Sequence, residues 1–527
     1  MWSPSAFRAV GVGLIAGSAA TAVLVGPLPG AAAAILTAGF WKVGLDDMKQ
    51  TSHSILRNFP VLGHLRYILE SIRPEIRQYF IESDADGAPF DRQHRNIAYQ
   101  RAKGAPDTLP FGTRRDVYEE GYEYAAHSLW PTVAKEANSR VLFGSAANGC
   151  TQPYSSSLYN VSGMSYGALS ENAVLALSRA AKMGNFYHNT GEGGMSRFHL
   201  EGGGDLVWNV GTGMFGCGQG TMTRTFDPKM FADNAQRPNC KMIELKLSQG
   251  AKPAHGGMLP KAKITAAIAE ARGLAYPAVG DCNSPARHSA FNTPEQMMEF
   301  IARLRELSGG KPVGYKLCLG RPEEFARLVR ASLTTGIVPD FITVDGAEGG
   351  TGAAPPEFSN SVGMPMAEGL TLVHAMLLGA GLRDRVRIVA AGKVLTGFSL
   401  VRTLAMGADV CNAARAMLFS IGCIQSFKCN TNTCPTGITT QDPRLMAGLD
   451  VPDKAERARQ FHAKTVHVAL EIVGALGHES ASQVTGKDVL RRVAGHGLRN
   501  MNEIYPCVWE EGTHKFTPRA LTHPISF

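Results

Sequence analysis

Three cysteines crowded into twelve positions are the strongest candidates for metal chemistry in this sequence. They stand in the segment Cys423-Ile-Gln-Ser-Phe-Lys-Cys429-Asn-Thr-Asn-Thr-Cys434-Pro435. Structural zinc usually takes four ligands in Cys-x-x-Cys pairs, whereas iron–sulfur clusters accept cysteine-only ligation in one tight loop with a proline after the last cysteine. The pattern therefore favours an iron–sulfur cluster, and three thiolates match the 3Fe–4S type. Buried free cysteines are the alternative interpretation.

Four glycine-rich loops form a second group with chemical potential. They cover residues 163–168, 190–194, 346–352 and 391–393. Bare backbone N–H groups in such loops can hold a phosphate and let a flat ring approach the chain. Flavin mononucleotide (FMN) fits this layout, whereas any one loop alone is explained equally well as an ordinary turn. The residues expected to bind the cofactor are Met164, Ser165, Gly167, Thr190, Lys246, Gly349, Gly350, Thr351, Gly392, Lys393, Ala414 and Arg415.

A third group consists of cations around one segment, with Lys246, Gln249 and Lys252 close together and Arg272 on an expected helix. A dicarboxylate needs paired positive donors to offset the desolvation of two carboxylates. Lys252 and Arg272 could hold such a substrate while Gln249 fixes its orientation. Lys246 ends an apolar run and is expected to point into the mouth of a barrel, where it could stabilise a reduced flavin or polarise a carbonyl.

The elements that must position these residues are short apolar runs bounded by glycine, most of them followed by helix-compatible stretches. Strands alternating with helices indicate parallel βα units, so we expect an α/β fold with a (βα)8 TIM barrel and its chemistry on the loops after the strands. Predicted helices include 173–181, 294–307, 323–335, 398–406 and, in the C-terminal tail, 454–476. The eight predicted strands are 159–163, 186–190, 206–210, 242–247, 313–317, 341–344, 386–390 and 408–412.

The N-terminal region carries no charged residue from Val10 to Phe40. As one helix this stretch would extend about 46 Å against a hydrocarbon core of about 30 Å. Pro27 and Pro29 interrupt it, so a single span, a re-entrant hairpin and two short packed helices are all open, as is a cleaved signal peptide. The excess of Lys and Arg downstream places the remainder of the chain in the cytoplasm, beside the inner membrane. Residues 55–81 are predicted to form an amphipathic helix that packs on protein or lies on the membrane surface.

Composition and charge exclude several classes of protein. With 44% hydrophobic and 19% charged residues, the 527-residue chain is neither disordered nor fibrous. Its net charge of +8 includes no long basic run, so nucleic acid is not an expected partner. No glycine pattern typical of NADPH or FAD domains is present, so we expect a separate electron donor. The expected divisions are a membrane segment 1–49, a helical region 50–155, the barrel 156–445 and a helical extension 446–527.

The motifs together resemble the FMN-binding synthase domain of glutamate synthases, from about Tyr159 to Arg444. The resemblance implies a barrel, FMN, a 3Fe–4S cluster held by Cys423, Cys429 and Cys434, and reduction of 2-iminoglutarate, from 2-oxoglutarate and ammonia, to glutamate. The motifs that carry it are Gly163-Met164-Ser165, Gly167-Ala168-Leu169-Ser170, Thr190-Gly191-Glu192-Gly193-Gly194, Lys246 with Gln249-Gly250-Ala251-Lys252-Pro253, Gly349-Gly350-Thr351-Gly352 and the three cysteines with Pro435-Thr436-Gly437.

The resemblance also implies residue roles. Lys246 and Glu192 are expected beside the flavin as catalytic residues, and Gln249, Lys252 and Arg272 are expected to bind 2-oxoglutarate. Residues 53–112 look like stand-alone, membrane-anchored members of the broader group, with electrons supplied by ferredoxin or a separate reductase.

The sequence departs from the long enzymes at three points. It has no N-terminal cysteine nucleophile after the initiator, so glutamine is not the expected ammonia source. It also has Ala254-His255 where the long enzymes usually have Gly-Glu, and Ala390-Ala391-Gly392-Lys393 where they have an Asp-Gly-Gly turn. Two further hypotheses are a related reaction, such as N-alkylglutamate synthesis or amine oxidation, and a flavin and iron–sulfur subunit that only relays electrons.

Overall fold

The computed structural model describes residues 2–135, 139–220, 224–510, 515–518 and 525–526. They divide into two compact units, Met1–Arg92 and Gln93–Phe527. The predicted domain boundaries at 49, 155 and 445 stay predictions, because the division into two units after Arg92 tests none of them.

The N-terminal unit begins with two long apolar helices, α1 (Pro4–Leu24) and α2 (Pro27–Lys49). Ser3 caps α1 by accepting a hydrogen bond from the Ala6 N–H at 3.2 Å, and each helix has a proline in its first turn, where the missing donor costs least. Both helices have the length and apolar composition of membrane-crossing helices. The uncharged stretch therefore forms two helices rather than one long span.

The amphipathic segment predicted over 55–81 is not one continuous helix. It is split into α3 (Ser54–Asn58) and α4 (Gly63–Ile76), followed by a π-helical turn, Arg77–Ile81. Pro60 has no N–H to continue α3, and Val61 adopts a positive φ of 65°. The Asp47 carboxylate accepts the Val61 N–H at 2.8 Å and lies 2.8 Å from His64 Nε2, which fixes the break in place.

The second unit contains a closed barrel of eight parallel strands with flanking helices, a (βα)8 TIM barrel. All eight predicted strands are confirmed, with ends shifted by a few residues. The barrel closes where β8 pairs with β1, Cys411 lying opposite Tyr159. The strands are β1 (Tyr159–Val161), β2 (Tyr187–Asn189), β3 (Asp205–Val210), β4 (Cys240–Lys246), β5 (Val313–Leu317), β6 (Phe341–Asp345), β7 (Arg387–Ala391) and β8 (Val410–Ala413).

Helices follow the strands, and side chains at their N-termini fix where several begin. Ser170 accepts from the Ala173 N–H at 3.2 Å, and Thr396 forms a capping box with Ser399. The predicted helices are confirmed, with Pro294–Leu307 matching at both ends. The helices of this unit up to the barrel's end are Arg92–Ala102, Glu171–Gly184, Arg197–Gly202, Pro228–Ala235, Ala266–Arg272, Pro294–Leu307, Pro322–Thr335, Pro356–Ser361, Met366–Gly379, Gly397–Ala405 and Arg415–Ser420.

An apolar cluster fills the barrel at the end where the strands begin. Tyr187, Phe341 and Val410 are each the first residue of a strand, and all are buried. The antiparallel strands Arg140–Phe143 and Tyr154–Ser157 add Phe143 and Tyr154 to this cluster. The strand starts are thereby closed with side chains, which leaves the carboxyl ends of the strands as the open mouth.

The C-terminal part contains the predicted helix, observed as Val451–Ala475, and Asp450 caps it by accepting the Asp453 N–H at 2.8 Å. Beyond it the described chain is largely β rather than helical. Strand Val489–Val493 pairs with Glu123–Ala125 on one side and Gly497–Asn500 on the other. The remaining strands here are Cys507–Glu510, Lys515–Pro518 and Ile525–Ser526, and the remaining helices are Pro443–Met446 and Met501–Ile504.

Candidate functional site

A narrow pocket lies at the barrel mouth, where the strands end. Its walls include Glu192, Lys246, Gln249 and Lys252, four of the residues predicted from the sequence. Lys246 is the last residue of β4, and Glu192 stands in the loop after β2. The parallel barrel brings these two positions together because it places the carboxyl ends of all its strands at one rim.

Lys246 forms the centre of this pocket. Its Nζ lies 3.0 Å from Glu192 Oε2 and donates to Gln249 Oε1 at 2.5 Å. Burial by itself would raise the pKa of Glu192, but Lys246, Arg272 and Lys252 together lower it. Glu192 is therefore a carboxylate, paired with an ammonium group that is itself almost shielded from water.

Two more buried cations stand close enough to act on Glu192. Lys252 donates from Nζ to the Ala353 carbonyl at 2.8 Å, and burial lowers its pKa to about 8 despite the attraction of Glu192. Arg272 donates from Nη2 to Ser165 Oγ at 3.4 Å and to the Tyr166 carbonyl at 3.3 Å, with its guanidinium 4.9 Å from the Phe215 ring centre. Lys246, Lys252 and Arg272 thus carry three positive charges against the one carboxylate of Glu192. The site has a surplus of positive charge suited to an anion with two carboxylates.

One neighbour of Lys246 that sequence reasoning missed is His288. It is buried and its Nε2 lies 2.8 Å from the Lys246 carbonyl, so the ring is the Nε2–H tautomer and donates to that oxygen. Burial lowers its pKa to about 4, which keeps the ring neutral. His288 lies 42 positions from Lys246 in a segment without regular periodicity, and no sequence signal connects the two.

The barrel interior below the pocket holds a polar network that also escaped prediction. Glu244 is buried and accepts hydrogen bonds from Asn189 Nδ2 at 2.8 Å, Asn209 Nδ2 at 2.6 Å and Thr343 Oγ1 at 2.6 Å. Asn189 in turn accepts the Gly191 N–H at 3.1 Å through Oδ1. This chain of contacts ties four strands together and sets the start of the loop that carries Glu192.

Lys316 of β5 and Asp345 of β6 make a second interior contact, with Nζ and Oδ2 3.1 Å apart. Burial would lower the pKa of Lys316, but Asp345 and Glu244 raise it. Asp345 also accepts the Gly250 N–H at 3.0 Å, which holds the loop after β4 against the loop after β6. In the sequence, a polar residue inside a strand is visible only because it interrupts the apolar run. The interruption does not show which residue that side chain contacts.

Lys393, in the loop after β7, and Arg415, the first residue of the helix after β8, are close enough to repel each other. Burial lowers the pKa of Lys393 and repulsion from Arg415 lowers it further, while Glu348 acts in the opposite direction. A Cβ on Gly350 would lie 3.2 Å from Arg415 Nε, so the glycine leaves room beside that guanidinium. A phosphate between Lys393 and Arg415 would relieve their repulsion, and this donor set fits the phosphate of a flavin mononucleotide.

The other residues expected to contact a flavin are spread around the same rim. The Ser165 hydroxyl accepts a hydrogen bond from Arg272, and the Thr190 hydroxyl donates to the Gly191 carbonyl at 2.9 Å. Gly167 is buried against Arg272 with φ of 102°, and its carbonyl accepts from Gln441 Nε2 at 3.3 Å. The remaining residues of this set lie in the loops after β1, β6, β7 and β8: Met164, Gly349, Thr351, Gly392 and Ala414.

The three cysteines lie near one another, since Cys429 and Cys434 act electrostatically on Cys423. Burial raises the pKa of the Cys423 thiol to about 12. Lys263 Nζ donates to the Cys429 carbonyl at 2.8 Å and the Thr439 carbonyl at 2.7 Å, which places a buried cation against this loop. Within the described ranges no three His, Cys, Asp or Glu side chains are gathered closely enough to hold a metal ion. The donor set of three cysteine thiols in one loop fits an iron–sulfur cluster chemically.

Comparison with known proteins places the chain in a family. The conserved region of glutamate synthase matches residues 149–479. The "glutamate synthase large subunit-like protein YerD" of Bacillus subtilis (strain 168) is 36% identical over 499 residues, which cover 87% of this chain and 94% of that protein. The "archaeal-type glutamate synthase [NADPH]" of Thermotoga sp. (strain RQ2) is 33% identical over 335 residues, 63% of this chain and 62% of that enzyme.

Among solved structures, mandelate oxidase with benzoyl-formic acid matches with a TM-score of 0.42 and 15% identity over 77% of this chain and 98% of that one. The family assignment comes from the sequence matches alone. The matched region contains the whole barrel, the mouth pocket and the cysteine loop. The chain belongs to the glutamate synthase family.

Proposed function

We propose that the protein is an oxidoreductase of the glutamate synthase type that reduces 2-iminoglutarate, formed from 2-oxoglutarate and ammonia, to glutamate. The observation that carries this proposal is the surplus of buried positive charge from Lys252 and Arg272 beside the Lys246–Glu192 pair. The family membership and the names of the relatives support the same reaction type.

The substrate is assigned from the charges of the pocket. A 2-oxo or 2-imino dicarboxylic acid carries two carboxylates, and desolvating both is favourable only where fixed cations replace the lost water. Lys252 and Arg272 would hold those carboxylates, while Gln249, already fixed by Lys246 at 2.5 Å, would orient the carbon that reacts.

The cofactors are assigned from the donor groups at the rim. FMN would supply hydride chemistry when bound, and a 3Fe–4S cluster would supply single-electron transfer. Lys393 and Arg415 would hold the phosphate of the flavin, with the glycine-rich loops around Ser165, Thr190 and Gly349 against its ring. Cys423, Cys429 and Cys434 would hold the cluster, and Lys263 would fix the loop that carries them.

Lys246 and Glu192 are the proposed catalytic residues. The Lys246 ammonium is nine-tenths shielded from water, with a relative side-chain exposure of 11%, and its charge is balanced only in part by Glu192. A positive group in a site that excludes water stabilises negative charge that develops on a nearby carbonyl or imine. The Glu192 carboxylate would hold Lys246 in this position by accepting a hydrogen bond from its Nζ.

Electrons would come from a separate donor, ferredoxin or a reductase, because no NADPH-binding glycine pattern is present in the sequence. The two apolar N-terminal helices would tether the enzyme to the inner membrane, with the barrel in the cytoplasm.

The test is turnover by the purified full-length enzyme with 2-oxoglutarate, ammonium and either reduced ferredoxin or NADPH plus a reductase. Glutamate is the expected product. Lys252→Ala and Arg272→Ala should each raise KM for 2-oxoglutarate about 10- to 100-fold, because a hydrogen bond to a charged group contributes roughly 1.5–3 kcal/mol.

Lys241→Ala is the matched control, since Lys241 lies on the same strand as Lys246 but pairs with Asp205 at the opposite end. A protein that passes electrons to an acceptor equally well in all these variants, and forms no glutamate, would be an electron relay. Product formed only when an alkylamine replaces ammonium would instead indicate N-alkylglutamate synthesis.

A further inference from the structure

The two N-terminal helices pack against each other along their whole length. A Cβ on Gly44 would lie 2.2 Å from the Phe7 ring, one on Gly11 would lie 2.5 Å from the Trp41 ring, and one on Gly30 would lie 2.3 Å from the Ala22 Cβ. The order of these contacts shows that α1 and α2 run antiparallel. Both the start of α1 and the end of α2 therefore stand at the same end of the hairpin, which we call the open end.

The outer surface of this hairpin is apolar and uncovered. Only 11% of the most apolar window of α1 and 17% of that of α2 are buried. Water cannot cover such a surface without a large free-energy cost, whereas lipid acyl chains can. The exposed apolar side chains are Val12, Ile15, Val23, Leu24, Val25, Leu28, Ile35 and Leu36.

Charged and interfacial residues occur at the open end alone. Arg8 lies near the start of α1, and Lys42 and Lys49 lie in the last turns of α2. Trp2 and Trp41, residues of the type that prefers the membrane–water interface, are also at this end. The turn at the other end carries no charged residue, and its Leu24 and Leu28 side chains are both 83% exposed. Exposing these leucine side chains to the water on the far side of a membrane would be unfavourable.

The uncharged parts of the helices are shorter than a bilayer is thick. From Val10 to Leu24 the rise is roughly 22 Å, and from Pro27 to Phe40 it is roughly 21 Å, at about 1.5 Å per residue. The hydrocarbon core is about 30 Å thick. With Arg8 and Lys42 held at one interface, the turn lies inside the core rather than beyond it.

The turn leaves few backbone N–H groups without a partner. Val25 and Gly26 donate their N–H groups to the Thr21 carbonyl at 2.9 and 3.2 Å, and Gly30 donates to the Gly26 carbonyl at 3.2 Å. Pro27 and Pro29 have no N–H to satisfy. Only the Leu28 N–H remains to be accounted for between Val25 and Gly30, although the start of a helix normally leaves four such donors exposed. In a lipid core, where each unsatisfied donor is costly, this is the favourable arrangement.

We infer that α1 and α2 form a hairpin that enters and leaves the bilayer through one face, with its Gly26–Pro29 turn inside the hydrocarbon core. The partner of this surface is the acyl-chain region of a lipid bilayer. The inference deepens the proposed membrane tether and is independent of the proposed reaction.

Thiol accessibility tests this topology in the full-length protein in sealed native membrane vesicles. Leu28→Cys and Ser52→Cys would be treated separately with a membrane-impermeant maleimide on each side, and labelling would be read at that peptide by mass spectrometry, so that native cysteines do not interfere. We expect Ser52→Cys to be labelled from the catalytic side only. Leu28→Cys should be labelled from neither side until detergent is added.

Labelling of Leu28→Cys from the far side would overturn the inference in favour of two full crossings, while the tether would still hold. Recovery of the native protein in the soluble fraction after an alkaline carbonate wash would instead overturn the tether itself.

A charge placed at the turn gives a second readout. Leu28→Lys should markedly reduce the share of protein retained in washed membranes, because the lysine would have to enter the core. Val43→Lys, which adds the same charge at the open end, should leave that share unchanged. Equal retention of the two variants would contradict a turn buried in the core.

Discussion

Lys252 is a buried lysine whose charge is available only over part of the working pH range. Its pKa is lowered to about 8 in the ligand-free site, so the ammonium form dominates below pH 8 and the neutral form above it. A dianionic substrate needs the ammonium form. Affinity for 2-oxoglutarate should therefore be nearly constant below pH 8 and fall roughly tenfold per pH unit above it.

Equilibrium binding of 2-oxoglutarate without ammonium, followed through the flavin absorption spectrum between pH 6.5 and 9.5, measures this dependence. In Lys252→Arg the affinity should stay nearly constant to pH 9.5, because a guanidinium remains charged throughout. The same decline in both proteins would show that another group controls binding.

Lys263 is a buried cation beside the proposed cluster ligands. It is 2% exposed and holds the carbonyls of Cys429 and Thr439. Removing its charge stabilises the more oxidised, less negative state of any iron–sulfur group in that loop. Lys263→Met should thus lower the reduction potential measured by EPR-monitored titration and reduce the iron content of the purified enzyme.

Lys261→Met is the control for this effect, because Lys261 belongs to the same short 3₁₀ turn but is exposed. Equal reduction potentials and iron contents in the two variants would show that the buried charge of Lys263 has no greater effect on the cluster than the exposed charge of Lys261.

At the scale of loops and strands, some glycines at the barrel mouth cannot be replaced, because a neighbouring group occupies the space that a Cβ would need. A Cβ on Gly257 would lie 1.9 Å from Glu192 Oε1 and 2.6 Å from its Cδ. Gly257→Ala should push the carboxylate away from Lys246 and lower kcat/KM on the order of 100-fold, since such displacements of a catalytic group are costly.

Gly280→Ala is the matched change, because nothing lies within 4 Å of its Cβ position and neither glycine has a positive φ. It should leave kcat/KM unchanged, and both variants should unfold within a few degrees of the native protein. A Gly257→Ala enzyme with native activity would show that Glu192 tolerates displacement.

Strands and helices were predictable because their signals are local. Each barrel strand is an apolar run bounded by glycine, and several of the following helices have a side-chain cap, such as Ser170 or Thr293. The break at Pro60 was missed because the apolar residues Ile55, Phe59 and Leu62 recur three to four positions apart across it. Helical spacing shows which face of a helix is apolar, but it does not show where the helix ends. Here the break after α3 depends on the hydrogen bond from Val61 to Asp47 and on the positive φ of Val61.

The site was predictable where a residue type implies its own role and unpredictable where its role depends on a distant partner. Lys246, Lys252 and Arg272 were found as cations near one loop. Glu244 was not assigned a role, since its function as acceptor for Asn189, Asn209 and Thr343 follows only from barrel closure.

For the molecule as a whole, the proposed membrane anchor and the proposed site belong to different units. Helices α1 and α2 lie in Met1–Arg92, whereas the barrel, the mouth pocket and the three cysteines lie in Gln93–Phe527. Each unit is compact by its own internal contacts. Membrane attachment and catalysis should therefore be separable.

A chain that begins at Gln93 tests this separation. Because the barrel keeps its strands, its closing cluster and its pocket, we expect FMN content and kcat close to those of the detergent-solubilised full-length enzyme. Because it lacks the two apolar helices, it should remain in the supernatant after ultracentrifugation without detergent. Exposed apolar side chains also occur in the second unit, Leu129, Trp130 and Val133 among them. Active, flavin-loaded protein that still sediments with liposomes would show that these side chains bind membranes as well and that attachment is shared between the two units.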